Sequence, residues 1–215
     1  MDLSADEMLR RQQSFQERML DDGALGFNAA YSLASKNDGF RKCGKNVRIH
    51  TTAVIPDTRK IELGDNVRID AYAVLSAARI VIGDFVHIGA FSHISGPGTV
   101  TFEDFSNMSH QSMILTASDD FSVPCFAGTT VAKELQALIQ GDVALDKHAV
   151  IGAQSVIMPN VILGYASVVG AKSLVKSDTR PRSIVGGVPA THIKWRKFFV
   201  DEVAGLEELC RRGRQ

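Results

Sequence analysis

The sequence predicts a mainly β chain wound as a parallel β-helix, with a helix at either end and one loop excursion. Two observations predict this. Large apolar residues return every six positions in groups of three: Cys43, Ile49, Ile55; Leu63, Ile69, Leu75; Ile82, Ile88, Ile94; Phe102, Met108, Ile114. Between the groups the step lengthens to seven or eight. After a gap the register runs from Ile139 through Leu145, Ile151, Ile157, Leu163 and Val169 to Val175. The second observation is the residue four places further on, which at most repeats is small or β-branched, as at Val67, Ala73, Val86, Ser92, Ser112, Ala149, Ser155 and Ser173.

A period of six belongs neither to an α-helix nor to a simple alternating strand. It fits one short strand plus one turn, with the large aliphatic side chain pointing inward and the small residue filling a tight corner. The irregular steps come once per three units, so three units make one coil with three flat sides. Stacked coils bury an aliphatic column that no single repeat could bury alone, and their strands hydrogen-bond to the coils above and below. Turn-forming residues recur where the corners are expected, as in Gly64-Asp65-Asn66, Gly83-Asp84 and Pro159-Asn160. An ordinary β-sandwich is the competing architecture, and the persistence of the register tells against it.

Three segments follow: a helical cap over 1–40, the β-helix over 41–190, and a helical tail over 191–215. Within the cap, residues 4 to 20 read as a helix, with Ser4 and Glu7 as a capping box and Met8, Phe15 and Met19 as an apolar stripe. In the tail, a helix is expected over about 195 to 212, with Phe199, Val203, Leu206 and Cys210 on one face. Its Arg211, Arg212 and Arg214 are expected to be a solvated end that complements the helix dipole. The register breaks over 116–138, a loop of a length that often carries function in a solenoid.

The 215 residues suffice for one sizeable core with appendages. Twenty-four basic residues match twenty-four acidic ones, so no basic field points to nucleic acid. No 18-residue apolar run offers a membrane span, and the opening MDLSADEMLRRQQSF has no apolar h-region of a signal peptide. Cys43, Cys125 and Cys210 are too scattered for a disulfide framework or a zinc site and point to reduced thiols in the cytoplasm.

The hexads I-G-A-Q-S-V (151–156) and V-G-A-K-S-L (169–174), and the closing I-V-G-G-V-P-A-T-H-I-K-W-R (184–196), resemble those of the hexapeptide-repeat acyltransferases, a family that includes sugar O-acetyltransferases and amino-sugar N-acetyltransferases. The resemblance covers about residues 43 to 196. It implies a left-handed parallel β-helix, a homotrimer with acyl sites between neighbouring copies, and acetyl-CoA as acyl donor. The acceptor it implies is a sugar, free or nucleotide-linked, modified at a hydroxyl or an amino group in surface polysaccharide synthesis. Carried over by motif, Gly152, Ala153, Gly170 and Ala171 would let the pantetheine arm approach the backbone. Pro189 matches the tail motif, with Ala190, and Lys194 and Arg196 would meet the CoA phosphates. Corner packing is the competing explanation of the glycines and alanines.

Acyl transfer from a thioester needs a base at the attacking group and a donor at the developing oxyanion. Histidine is the usual base, and there are six: His50, His87, His93, His110, His148 and His192. In part of the family the base sits in a Gly-His-Pro where the loop excursion begins. Here that place holds Ser118-Asp119-Asp120. His110 is the alternative, being the third residue of its hexad, a placement similar to that of the base in the amino-sugar N-acetyltransferases. Gln111 stands where those enzymes carry an acid, so Asp119 or Asp120 would orient the ring. His93, one coil earlier, is the second choice. His87 is expected to point off a different side, and His148 to be structural.

Two other classes share this fold. A zinc enzyme of the γ-carbonic-anhydrase type needs converging histidines, whereas His87 and His93 occupy adjacent sides and diverge. His93 and His110 are one coil apart and offset by three residues, roughly 11 Å between Cα atoms. A non-catalytic scaffold would have no use for the V-G-A-K-S-L and G-V-P-A elements.

Overall fold

The computed structural model describes residues 30–197 and 200–212; the helix expected over 4–20 lies outside them, as do Phe199 and Arg214. Short strands stack into the three flat sides of a β-helix. The first side holds seven parallel strands, from Arg48–His50 to Ser183–Gly187. Two antiparallel strands close it: Tyr31–Leu33 pairs below with Arg48–His50, and Ala190–Trp195 pairs above with Ser183–Gly187. The strands Val74–Ile82 and His93–Phe102 bend round a corner, so each serves both the second and the third side.

The six-residue register becomes three vertical stacks. Ile69, Ile88, Met108, Ile151 and Val169 align on the first side. Leu75, Ile94, Ile114, Ile157 and Val175 align on the second, and Leu63, Ile82, Phe102, Leu145 and Leu163 on the third. All are buried, and each such side chain contributes roughly 1.5–3 kcal/mol of hydrophobic stabilisation. The small corner residues sit inside the wall. Some of the serines donate to a main-chain carbonyl of the next coil, Ser112 to Gly152 and Ser155 to Gly170, both at 2.9 Å, and others to one of their own coil, as Ser106 to Glu103 and Ser173 to Gly170. Among the described residues no buried side-chain polar atom lacks a partner.

The corner between the third and first sides explains the repeated Gly-Asp. Asp65, Asp84 and Asp104 stack, and each Oδ1 accepts the amide of the coil below: Lys45 at 2.7 Å, Asp65 at 2.8 Å and Asp84 at 2.8 Å. The carboxylate occupies the space a side chain on the glycine below would need. A Cβ at Gly64 would lie 2.5 Å from Asp84 Oδ1 and 2.6 Å from the Gly83 carbonyl.

Several expectations are corrected. Thr116 remains a buried coil residue, and the excursion is a ribbon in which Ala117–Asp119 pairs antiparallel with Leu138–Gln140. Ile139 therefore belongs to the ribbon and is 44 % exposed, and the inward stack resumes at Leu145. The terminal helix, α1 (Val200–Arg212), begins after a strand that runs through Trp195. Its inner face is Val203, Glu207 and Cys210, while Leu206 is exposed. Arg211 is not a solvated end: it pairs with Asp104 at 2.9 Å and Asp84 at 3.4 Å, with its guanidinium over the Phe105 ring. Glu207 accepts from Lys147 at 2.6 Å and meets His148 Nε2 at 2.5 Å. His148 also stacks on Phe105. Burial holds the His148 ring below its usual range, and Glu207 only partly offsets this; the residue is structural, as expected. Among the described residues no helix is long and apolar enough to cross a membrane.

Replacing Gly64 by Ala forces the Gly-Asp corner apart, and a loss of about 1–3 kcal/mol is expected, as for overpacking. Thermal unfolding of Gly64→Ala beside Gly205→Ala checks it, because a Cβ at Gly205 meets nothing within 4 Å. Only the first variant should melt earlier than the parent.

Candidate active site

The corner that follows the first side carries most of the residues singled out above. Five dipeptides stack there, one per coil: Asp70-Ala71, Gly89-Ala90, Ser109-His110, Gly152-Ala153 and Gly170-Ala171. Their first amides form a ladder, Ser109 to the Ile151 carbonyl at 2.9 Å, Gly152 to Val169 and Gly170 to Val185 both at 2.8 Å. Each dipeptide is followed by a residue in the left-handed region: Tyr72, Phe91, Gln111, Gln154 and Lys172, with φ between 57° and 61°. The amides of these residues continue the ladder, with Gln154 on the His110 carbonyl at 3.0 Å and Lys172 on that of Ala153 at 2.8 Å. The expected catalytic histidine thus sits directly below the expected cofactor dipeptides, on one edge.

The two glycines of that edge differ. A Cβ at Gly152 would lie 2.5 Å from the Val169 carbonyl and 2.6 Å from the Ala171 amide, so packing alone demands glycine. At Gly170 the nearest atom would be the Val185 carbonyl at 3.3 Å, a far smaller intrusion. The second amides, of Ala153 and Ala171, meet no acceptor among the described residues. Pro189 lies in the turn above Gly170, beside Gly187, whose amide donates to Ser173 Oγ at 3.2 Å. Lys194 and Arg196 are not brought to this edge. They lie at the far end of the last strand, where the Arg196 guanidinium donates to the carbonyls of His148 at 3.1 Å and Ala166 at 3.2 Å.

His110 is exposed, and its Nδ1 accepts the Ala90 amide at 2.9 Å. That bond fixes the tautomer of the neutral ring: the proton sits on Nε2, which then donates and cannot accept. His93 starts a strand of the second side, level with Met113 of the next coil. The register confirms that His87 and His93 lie on different sides. Asp119 ends the first ribbon strand opposite Leu138, and its carboxylate has no partner among the described residues. Asp120 is engaged locally: its Oδ1 accepts from the Ser122 hydroxyl at 2.6 Å and amide at 2.9 Å, which holds the carboxyl below its usual range.

Sequence reasoning missed two members of this edge. Asp70 takes the place that Gly89, Gly152 and Gly170 hold elsewhere and is only 5 % exposed. Its carboxylate accepts from Tyr31 Oη at 2.6 Å, Arg68 Nε at 2.7 Å and His87 Nε2 at 2.8 Å. Burial opposes its ionisation, but the bonds from His87, Tyr31 and Arg68 outweigh it and hold the carboxyl well below the usual carboxylate range. His87, set aside as pointing elsewhere, has its ring centroid 6.2 Å from that of His110, edge to face. The available signal was the departure from Ile-Gly-Ala to Ile-Asp-Ala at 69–71.

No protein-family model matches the chain. It is 36 % identical over 163 residues to a dTDP-4-amino-4,6-dideoxy-D-glucose acyltransferase of Escherichia coli, covering 75 % of this chain and 85 % of that protein. Among solved structures it resembles AntD, an N-acyltransferase from Bacillus cereus in complex with dTDP and 3-hydroxybutyryl-CoA. That match has 36 % identity and a TM-score of 0.77, and covers 85 % of this chain and 97 % of the other. AntD has also been solved with substitutions at an aspartate and at a serine ten residues before it. A chloramphenicol acetyltransferase of Agrobacterium fabrum is 31 % identical over 133 residues, 62 % of this chain and 59 % of that protein. With coils built of six-residue repeats, the Gly-Ala edge and relatives of this similarity and coverage, the chain belongs to the hexapeptide-repeat acyltransferases.

Proposed function

We propose that this enzyme transfers an acyl group from acyl-CoA, acetyl-CoA being the simplest donor, to the amino group of a nucleotide-linked sugar. The observation that carries the reading is the stacking of Ser109-His110 directly beneath Gly152-Ala153 and Gly170-Ala171. The upper two coils offer a pantetheine arm two amides without partners, 153 and 171, beside residues with little or no side chain. The lower coil offers polar groups where the thioester would end. The relatives that act on or bind a dTDP-linked amino sugar favour nitrogen over oxygen as the acceptor atom. Such an acceptor suits surface-polysaccharide assembly in the cytoplasm.

The roles follow from the hydrogen-bonding capacities. His110 Nε2–H donates to the thioester oxygen as it becomes an oxyanion. Ser109 and Asp119 are the one serine and aspartate of this chain at the spacing substituted in AntD. The Asp119 carboxylate holds the acceptor amine for attack, and Ser109 lies at the level of the reacting carbon. His93, on the adjoining side, lines the acceptor end, and Asp120 shapes the ribbon. Pro189 closes the edge above the pantetheine. Arg196 anchors the last strand, Lys194 stands apart from the phosphates, and Lys172, on the edge itself, replaces them as the phosphate partner. Tyr72 and Phe91, stacked 5.0 Å apart and more than half exposed on this edge, favour a homotrimer in which a neighbouring copy covers them.

Incubating the protein with acetyl-CoA and a dTDP-linked amino sugar, with mass spectrometry of the sugar, tests the reading. Gain of one acetyl group on nitrogen is expected; unchanged sugar together with absent CoA binding would refute it. Gly170→Ala should unfold within about 1 kcal/mol of the parent, its Cβ being in only mildly tight contact, yet bind CoA at least about tenfold more weakly by calorimetry. His110→Ala should lose at least roughly 100-fold in turnover, as when an oxyanion donor is removed, with CoA affinity retained.

A further inference from the structure

Two histidines flank the space left by Gly89. His110 folds down from the coil above, so that a Cβ at Gly89 would lie 3.0 Å from its Nδ1. His87 belongs to the same coil as Gly89 and meets the His110 ring at an interplanar angle of 79°. The two rings have opposite hydrogen-bonding polarity. His110 accepts at Nδ1 and offers a proton at Nε2. His87 donates from Nε2 to Asp70 Oδ2, which leaves the lone pair of its neutral ring on Nδ1. No group among the described residues takes that lone pair.

The carboxylate behind His87 is rigid. Asp70 Oδ1 is held by Tyr31 and Arg68, and Arg68 also donates to Tyr31 Oη at 2.9 Å. A seal at this corner would be complete with those two donors, yet Oδ2 is turned to the histidine. A carboxylate that fixes one ring nitrogen and leaves the other open is how an imidazole is set up to take a proton.

We infer that His87 is the proton acceptor of the transfer and Asp70 its positioning residue, an assignment that rests on the acyl-transfer reading above. The acceptor nitrogen attacks the thioester carbon, the C–N bond forms and the C–S bond breaks. The proton released from nitrogen passes to His87 Nδ1, and the imidazolium is held by Asp70. The departing CoA thiolate then takes that proton, leaving an amide and the CoA thiol. His110 serves the oxygen during the same step. The groups facing His87 are Arg68 and Asp70 from the coil below, Asn107 and His110 from the coil above, and Tyr31 through Asp70. Asp70 is the one carboxylate among them, and Arg68 balances its charge.

Steady-state transfer between about pH 5 and about pH 8, the range in which histidine changes charge, tests this on the wild type, His87→Ala, His87→Gln and Asp70→Asn. Thermal unfolding verifies each fold, and calorimetry with CoA verifies each donor site. His87→Ala should lower kcat at least about 100-fold, keep its CoA affinity, and regain activity with added imidazole. Asp70→Asn should retain more activity, with the acid limb of its rate profile displaced to lower pH because the imidazolium has lost its carboxylate. If His87→Ala does not fold, His87→Gln, which keeps a donor to Asp70, carries the same expected loss of kcat and retained CoA affinity, without the rescue. A folded His87 variant with near-normal kcat, or a folded His87→Ala that imidazole does not rescue, would overturn the assignment. A wild type that acylates no nucleotide-linked amine would instead overturn the reading on which it rests.

Discussion

Coil-to-coil hydrogen bonding along a six-residue register governs everything else in this protein. Each short strand pairs with the strands one coil above and below, and the pairing fixes which residues share a vertical column. The columns facing inward must be aliphatic, because they form a continuous dry core. The columns at the corners must be small, or must pair with the main chain. Once this is set, any chemistry the protein performs is confined to an edge, and residues far apart in sequence become neighbours there. Asp70 and His87 are seventeen residues apart and hydrogen-bonded; Ser109 and Gly152 are separated by the whole excursion and are adjacent.

The corners show how one backbone geometry is used in two ways. At the Gly-Asp corner, stacked carboxylates cap amides of the coil below, and the remaining oxygens of Asp84 and Asp104 receive Arg211 from α1. That edge is structural. At the Gly-Ala edge the upper amides stay open, and the lower coils carry Asp70, Ser109 and His110 in place of glycine and alanine. The lower coils of one edge pair their amides with carboxylates, and the other edge sets polar side chains beneath open amides.

The inward register was legible because a buried aliphatic position tolerates little else, so its period survives in the sequence. The failures came where an apolar residue kept the period outside the coil. Ile139 is in step by count but sits on a ribbon that pairs only with itself. Leu206 is in step for an apolar helix face, yet α1 docks through Glu207 and Arg211, ionic contacts that no hydrophobic pattern announces. Arg196 matched a motif, but its guanidinium serves the main chain at the opposite corner. The site was half legible. Glycine and alanine dipeptides point to the proposed cofactor edge, and the placement of His110 within its hexad points to the proposed reacting level. The tautomer of His110 and the partnership of Asp70 with His87 depend on atoms of neighbouring coils, which only stacking brings within reach.

The central claim is that donor and acceptor meet on the edge defined by Ser109, Gly152 and Gly170. A crystal structure of the protein with CoA and a dTDP-linked amino sugar tests it most directly. The account predicts the pantetheine carbonyls on the amides of Ala153 and Ala171, the sulfur at the level of Ser109 and His110, and the sugar nitrogen facing His87 and Asp119. CoA lying along the Gly-Asp corner, or in the 290 Å³ cavity bordered by Ser177, Arg180 and His192, would contradict it.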